Sequence, residues 1–268
     1  MLSQIDWSRP WYDAVRPAWL EVARPGLDGD DFIGAFNRNA TALGLRNGAG
    51  LPLRFVPQSV LPEGTAYEEF IGATGQVPTR DNLHDFFNGL VWQTFPLVKR
   101  QLNALQAAQI EAAGGVGQSR GAARDAATIF DENAALLVVR EGNGGRALVD
   151  ELRAHGWLSA LHDKRAVFES DVRIWLFGHA LMEKLVAPRK AITAHTRVIF
   201  AGDDVLALAP GEQRAWLDAH VADELAREGL TTAGFTPLPV LGVPDWWPGQ
   251  DRDFYLDTTV FRPKRQTT

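Results

Sequence analysis

The residues best suited to chemistry stand in RDNLHDFFNGLVWQTFP, residues 80–96. At about 100° per residue, Asp81, His84, Asp85, Asn88 and Trp92 share one arc of a helix, while Leu83, Phe86, Phe87, Leu90 and Leu97 take the opposite arc. A solvated helix face is normally built from Lys, Glu, Gln and Arg. Asp, Asn and His are poorer helix formers, by up to about 0.7 kcal/mol each relative to Ala. A polar arc made of them therefore implies a use. Part of that use is capping, with Thr79 or Asp81 at the helix start. The rest points to a site carried by His84, Asp85 and Asn88, set on a helix whose other face packs on the core.

A second pair lies in FGHALMEKL, residues 177–185. His179 and Glu183 are spaced i, i+4 and so share a helix face. At that spacing an imidazole and a carboxylate can share a divalent metal, or the carboxylate can orient the imidazole as a base. The segment follows the apolar VRIWLF, and in open α/β sheets ligands bind beyond the carboxyl ends of strands. Asp131 and Glu132, in IFDENAALLVV, precede another apolar run. Adjacent side chains on a strand point to opposite faces, so only one of these carboxylates would meet a given cavity. A turn capping the preceding helix is the plainer alternative. His195, in ITAHTRVIF, leads into a third apolar run, where a satisfied core histidine competes with a ligand. His155, His162 and His220 lie among charged residues and read as surface.

The catalytic set this suggests is His84, Asp85, Asn88, His179 and Glu183; the metal set is His84, Asp85, Asp131, His179, Glu183 and His195. A hard divalent ion would take the carboxylate and Asn oxygens, zinc or iron two imidazoles and a carboxylate. The metal would lower the pKa of a bound water, making it the nucleophile, and His84 or His179 would act as general base. Arg80 and Arg124 would hold the anionic group of a small substrate. These groups suggest a hydrolase-like enzyme. No H-E-x-x-H, EF-hand, P-loop or G-x-S-x-G pattern occurs. GNGG (142–145) and GGVG (114–117) complete no nucleotide fingerprint and read as loops. The alternative is a non-catalytic binding or interaction protein, in which Asp and His form a structural hydrogen-bond network. Trp246 and Trp247, between Pro244 and Pro248, would then be an aromatic contact surface or a core anchor.

The elements that must position these groups follow from pattern. Residues 1–50 read as short helices punctuated by Gly and Pro, with Trp7, Trp11 and Trp19 pinning them to the body. Leu51–Val56 is a candidate strand. Residues 79–113 hold two helical patterns broken near Pro96, and residues 114–118 read as a flexible loop. Then Ala134–Arg140 reads as a buried strand, 145–162 as helix, Val172–Phe177 as strand, 178–186 as helix and 195–200 as strand. Pro210–Glu228 is helical with Trp216, Leu217, Val221 and Leu225 on one side, and Leu238–Val243 is a further strand. Residues 244–268 are an irregular, Trp-rich tail. The expected fold is α/β or α+β, a mixed sheet with flanking helices behind a helical N-terminal segment, in one domain.

Composition narrows the function classes. The 268 residues are 46% hydrophobic and 22% charged, an ordinary globular balance, and no run of about 18 apolar residues exists to span a membrane. A net charge of −6 disfavours non-specific binding to nucleic acid. Arg80, Lys99, Arg100, Arg120 and Arg124 are candidates for a local Arg-lined groove, and no recognisable nucleic-acid module stands behind them. Five of the 27 basic residues are Lys, leaving 22 Arg. There is no Cys, so disulfides, thiolate nucleophiles, Fe–S clusters and cysteine zinc sites are all excluded. With no basic and apolar leader in residues 1–16, the expected compartment is the cytoplasm. Composition fixes no oligomeric state.

The residues YEEFIGATGQVPTRDNLHDFFNGLVWQTFPLVKRQLNALQ (67–106), RDAATIFDENAALLV (124–138), FGHALMEKL (177–185), ITAH (192–195), LPVLGVPDWWP (238–248) and FYLDTTVFRP (254–263) resemble the bacterial domain-of-unknown-function 3025 family, over about 51 to 263. The resemblance implies one domain. It brings no activity and no catalytic residues, so the functional argument stays with the side chains.

Overall fold

The computed structural model describes residues 1–23, 32–112 and 122–264. In chain order the elements are α1 (Arg16–Val22), α2 (Phe32–Ala42), β1 (Arg54–Pro57), α3 (Tyr67–Thr74), β2 (Gln76–Thr79), α4 (Leu83–Thr94), α5 (Pro96–Ala112) and α6 (Ala122–Asn133). There follow β3 (Ala134–Arg140), α7 (Asn143–Arg153), α8 (Arg165–Asp171), β4 (Val172–Leu176), α9 (His179–Lys184), β5 (Thr193–Ala201), α10 (Asp203–Leu206), α11 (Pro210–Glu228), β6 (Thr236–Pro239) and α12 (Arg252–Leu256). The loop expected at 114–118, the GGVG cluster and Arg120 lie outside the described residues.

β3 is the centre of a four-stranded sheet in the order β4-β3-β5-β6. It pairs antiparallel with β4, Leu137 opposite Ile174, and parallel with β5, Leu137 opposite Val198. β6 runs antiparallel to β5. Both faces of β3 are covered, which is why AALLVVR is an unbroken apolar run rather than an alternating one. Leu137 and Val139 meet Leu148, Leu152 and Trp157 on one side; Leu136 and Val138 join the larger core with Phe130 and Phe177 on the other. β1 and β2 form a separate parallel pair joined through α3. The mixed directions and the separate pair make the fold α+β, with helices flanking the sheets. No helix among the described residues is long and apolar enough to cross a membrane.

Several boundaries differ from the sequence expectation for local reasons. The strand expected at 51–56 begins at Arg54 and finds its partner in β2, a four-residue strand with Pro78 inside it. The helix expected over 145–162 ends at Arg153; His155 then turns left-handed at φ 61° and a π-helical turn takes Leu158–Asp163. The strand expected at 238–243 stops at Pro239 and Val240–Gly242 coil into a 3-10 turn. The tail carries α12, capped by Asp251, which accepts from the Phe254 amide at 2.9 Å. Trp246 and Trp247 are half-buried against the core, Trp246 beside Trp11, so the tail is anchored.

The break between α4 and α5 at Pro96 is held from a distance. Asp218 of α11 accepts from the amides of Leu97 at 3.1 Å and Val98 at 2.9 Å, capping α5. Burial outweighs these hydrogen bonds and raises the Asp218 carboxyl to about 6. An acid whose folded pKa exceeds its unfolded value binds its proton more readily when folded, so it adds stability as pH falls from about 6 toward 4. Asp218→Asn keeps one acceptor and removes the titration. The stability gap between wild type and variant, from urea unfolding, should shift by about 2 kcal/mol in favour of wild type between pH 7 and pH 4. A gap that stays flat with pH would refute the assignment.

Candidate functional site

A half-open cavity of about 380 Å³ lies where α3, α4, α5, α6 and α9 converge. Tyr67 and Glu68 line it from α3, His84, Asp85 and Asn88 from α4, Arg124, Thr128, Asp131 and Glu132 from α6, and His179 from α9.

α4 is started by Asn82, whose side chain accepts from the Asp85 amide at 2.8 Å, in place of the Thr79 or Asp81 cap expected. Asp85 in turn reaches back to the Arg80 amide at 2.6 Å and to the Arg80 guanidinium at 3.0 and 2.9 Å. This bidentate pair occupies Arg80, which therefore does not stand free as an anion anchor. The polar arc of α4 differs from expectation as well. Asp85 through Thr94 are all buried, Trp92 among them, and only Asp81 at the start is exposed. The arc looks into the cavity and into a buried network instead of solvent.

That network centres on Lys99 of α5. Its ammonium donates to Asn88 Oδ1 at 2.8 Å and Asp131 Oδ1 at 2.6 Å, and lies 5.3 Å from the Trp92 ring centre. Asn88 Nδ2 donates to the Tyr67 oxygen at 3.0 Å. Burial works to raise the Asp131 carboxyl, but Lys99 and His179 outweigh it and hold the group below its ordinary value. Burial, with Glu68 and Asp85 adding to it, pushes the Tyr67 phenol far up, so it stays protonated. Glu68 accepts from Asn103 Nδ2 at 2.7 Å, and burial raises its carboxyl against the pull of Lys99.

The two histidines meet across the cavity. His84 Nε2 and His179 Nε2 are 3.0 Å apart, with the rings nearly perpendicular at 81°. Glu183 Oε2 stands 3.0 Å from His84 Nδ1. His179 Nδ1 is turned to Asp131, whose Oδ2 is 3.7 Å away, and is buried without a hydrogen bond of ordinary geometry. Burial, outweighing the attraction of Asp131, lowers His179 to about 4, so it is neutral at pH 7. The i, i+4 spacing of His179 and Glu183 therefore serves a different pairing from the one expected: Glu183 orients His84 of α4, not His179 of its own helix.

The structure thus brings His84, Asp85, Asn88, Asp131 and His179 to one cavity, with Glu183 beside it. Asp131 and Glu132 both line it, because they sit in the last turn of α6 and not on a strand. His195 is not there: it lies exposed on β5, near Phe235, and burial of part of its ring and Lys184 lower its pKa. Among the described residues no group of three or more His, Asp or Glu side chains is placed to hold a metal ion. The six-residue metal set is not assembled, since Asp85 is held by Arg80 and Asp131 by Lys99. Of the residues considered for a basic groove, Lys99 is buried on Asp131 and Arg80 is paired with Asp85.

Sequence reasoning placed Lys99 only in that groove and gave Tyr67 and Glu68 no role. A faint signal for Lys99 existed: it is one of five Lys in an Arg-rich chain, and it sits inside the apolar PLVKRQL. Comparison with known proteins adds one finding: a family model matches residues 53–265. No curated protein and no solved structure matches the chain.

Proposed function

The chain belongs to the family whose model matches it over residues 53–265, Protein of unknown function (DUF3025), and because that membership supplies no chemistry, we propose from the cavity itself that the protein is a hydrolase-like enzyme acting on a small substrate with an anionic group. The observation that carries this is the pair of imidazoles joined at Nε2 inside an accessible cavity, each with a carboxylate behind Nδ1. Such a carboxylate fixes the ring tautomer and stabilises the imidazolium formed when the other nitrogen takes a proton. The His84 side chain is 32% exposed and is the reachable base; His179 is buried beside it. Arg124 lines the cavity and forms no ion pair among the described residues, leaving its guanidinium to meet a phosphate or carboxylate. A cysteine-free chain of net charge −6 suits work in the cytoplasm.

One observation favours the structural alternative for part of the site: the Lys99, Asp131 and Asn88 cluster is buried and its hydrogen bonds are satisfied, so its role is to hold α4, α5 and α6 together under either reading. His84 and Arg124 are what separate the two. Purified protein offered small phosphate and carboxylate esters should turn over at least one class. His84→Asn should lower kcat by about 100-fold or more with an unchanged urea midpoint, and Arg124→Ala should raise KM about tenfold with kcat nearly intact. If no ester in the panel is cleaved faster by wild type than by His84→Asn, the enzyme proposal fails and the network reading stands.

A further inference from the structure

We infer that His84 Nε2 and His179 Nε2 together bind one divalent transition-metal ion of the zinc class, water and a substrate oxygen completing its shell; the inference rests on the cavity being the working site proposed above. Distance is the first argument. The two nitrogens are 3.0 Å apart, and an ion about 2.1 Å from each would see them at about 90°; parting them by about 0.4 Å gives the tetrahedral angle of zinc.

Protonation is the second. Glu183 lies 3.0 Å behind His84 Nδ1 and Asp131 3.7 Å behind His179 Nδ1. Glu183 in that position draws the His84 ring hydrogen to Nδ1 and leaves a lone pair on Nε2, the arrangement of metal-bound histidines; His179 Nδ1 has no hydrogen-bond partner and is drawn the same way only by the charge of Asp131. With both Nε2 atoms unprotonated their lone pairs repel at 3.0 Å, and an ion bound to both, set off the line between them, relieves that repulsion. The third argument is local charge. Asp85 has Arg80 and Asp131 has Lys99, but Glu68, Glu132 and Glu183 have no Lys or Arg within ion-pair distance among the described residues, and the cations on the lining are Arg124 and the already paired Arg80. This end of the cavity carries more acid than base, which suits a cation.

Ligand type selects the ion. Neutral imidazoles suit zinc, cobalt or iron, whereas magnesium and calcium want oxygen. Among the described residues no third His, Asp or Glu side chain is grouped with this pair, one protein ligand fewer than an ordinary catalytic zinc site has, so water and substrate must supply the rest of the shell.

The test uses the full chain, stripped with chelator and titrated with Co²⁺ and Zn²⁺ by calorimetry and, for Co²⁺, visible absorption. One ion per chain and a ligand-field spectrum are expected. His84→Ala should weaken binding about 100-fold, and Glu183→Gln about tenfold, through the ring it orients, while His195→Ala changes nothing. Since His179 is buried, His84→Ala, at a partly exposed side chain, decides the matter should His179→Ala fail to fold. No stoichiometric binding, or binding indifferent to His84→Ala, overturns the inference and leaves a proton shared between the nitrogens. If the stripped chain then still cleaves its ester, only the metal has failed; if the ion binds at His84 and no ester is cleaved, the metal stands and the hydrolase does not.

Discussion

Replacing Lys99 by Met should destabilise the protein by about 3–5 kcal/mol at pH 7. Lys99 is 4% exposed and the Asp131 side chain 11% exposed, so neither charge has water to fall back on. Met fills the space of the lysine stem, so the loss is not a cavity effect. It leaves the Asp131 carboxylate without its 2.6 Å donor and Asn88 Oδ1 without its 2.8 Å donor. The pH dependence identifies the cause. In the wild type Lys99 and His179 hold Asp131 below its ordinary pKa against burial. Without Lys99 burial prevails, and the folded carboxyl binds a proton more readily than the unfolded one. The variant should therefore recover part of its deficit as pH falls from 7 to 5, while its unfolding in urea stays cooperative. Lys99→Met combined with Asp131→Leu should regain most of the loss, because an apolar pair can replace a buried ion pair. A loss under about 1 kcal/mol with no pH dependence would mean that the two charges are not coupled.

What the sequence disclosed of this site follows from helical spacing, and what it hid follows from long-range packing. His84, Asp85 and Asn88 show as a set because three and four residues span one helical turn, and the residue types contradict a solvated face. The destination of that face was not legible: Asp85 to Thr94 are buried only because α3, α5 and α9 close over the polar arc while Trp7, Tyr12 and Phe36 cover Phe86 and Phe87. The partner of Glu183 was hidden for the same reason. Spacing couples it to His179, four residues away; the fold couples it to His84, 99 residues away. Asp131 and Glu132 read equally as strand or as the end of the preceding helix, because α6 runs into β3 with no turn residue between Asn133 and Ala134. The sheet was more legible, because β3, β4 and β5 are carried by runs of Val, Ile and Leu. β2 was not, since a four-residue strand with a proline in it offers neither length nor alternation.

One small residue joins the sheet to the site, and filling it should be costly. Gly178 lies between β4 and α9, with φ −61°, a conformation open to any residue. What excludes a side chain is space: a Cβ there would stand 2.5 Å from the Glu132 carbonyl oxygen and 2.6 Å from the amide nitrogens of Asn133 and Ala134. These are backbone atoms at the α6–β3 junction, so no rotamer change relieves the clash. The Gly178 amide also donates to Ala134 O at 2.8 Å, which fixes the approach from the other side. Overpacked cores lose about 1–3 kcal/mol when side chains can move aside; here two backbone segments must part, and Gly178→Ala should cost about 3 kcal/mol or more. The displacement bears directly on chemistry, because His179 follows Gly178 while Asp131 precedes Glu132 on the opposing segment. Moving the two apart separates His179 from Asp131 and breaks the 3.0 Å approach to His84. Nitrogen-15 spectra of the histidine rings should then show His84 and His179 changed and His195 unchanged. Gly144→Ala is the control, since nothing lies within 4 Å of its Cβ and it sits in α7; it should be neutral or stabilise by up to about 1 kcal/mol. A Gly178→Ala protein as stable as wild type, with the same ring signals, would show that the junction is loose and that the imidazoles are not positioned by it.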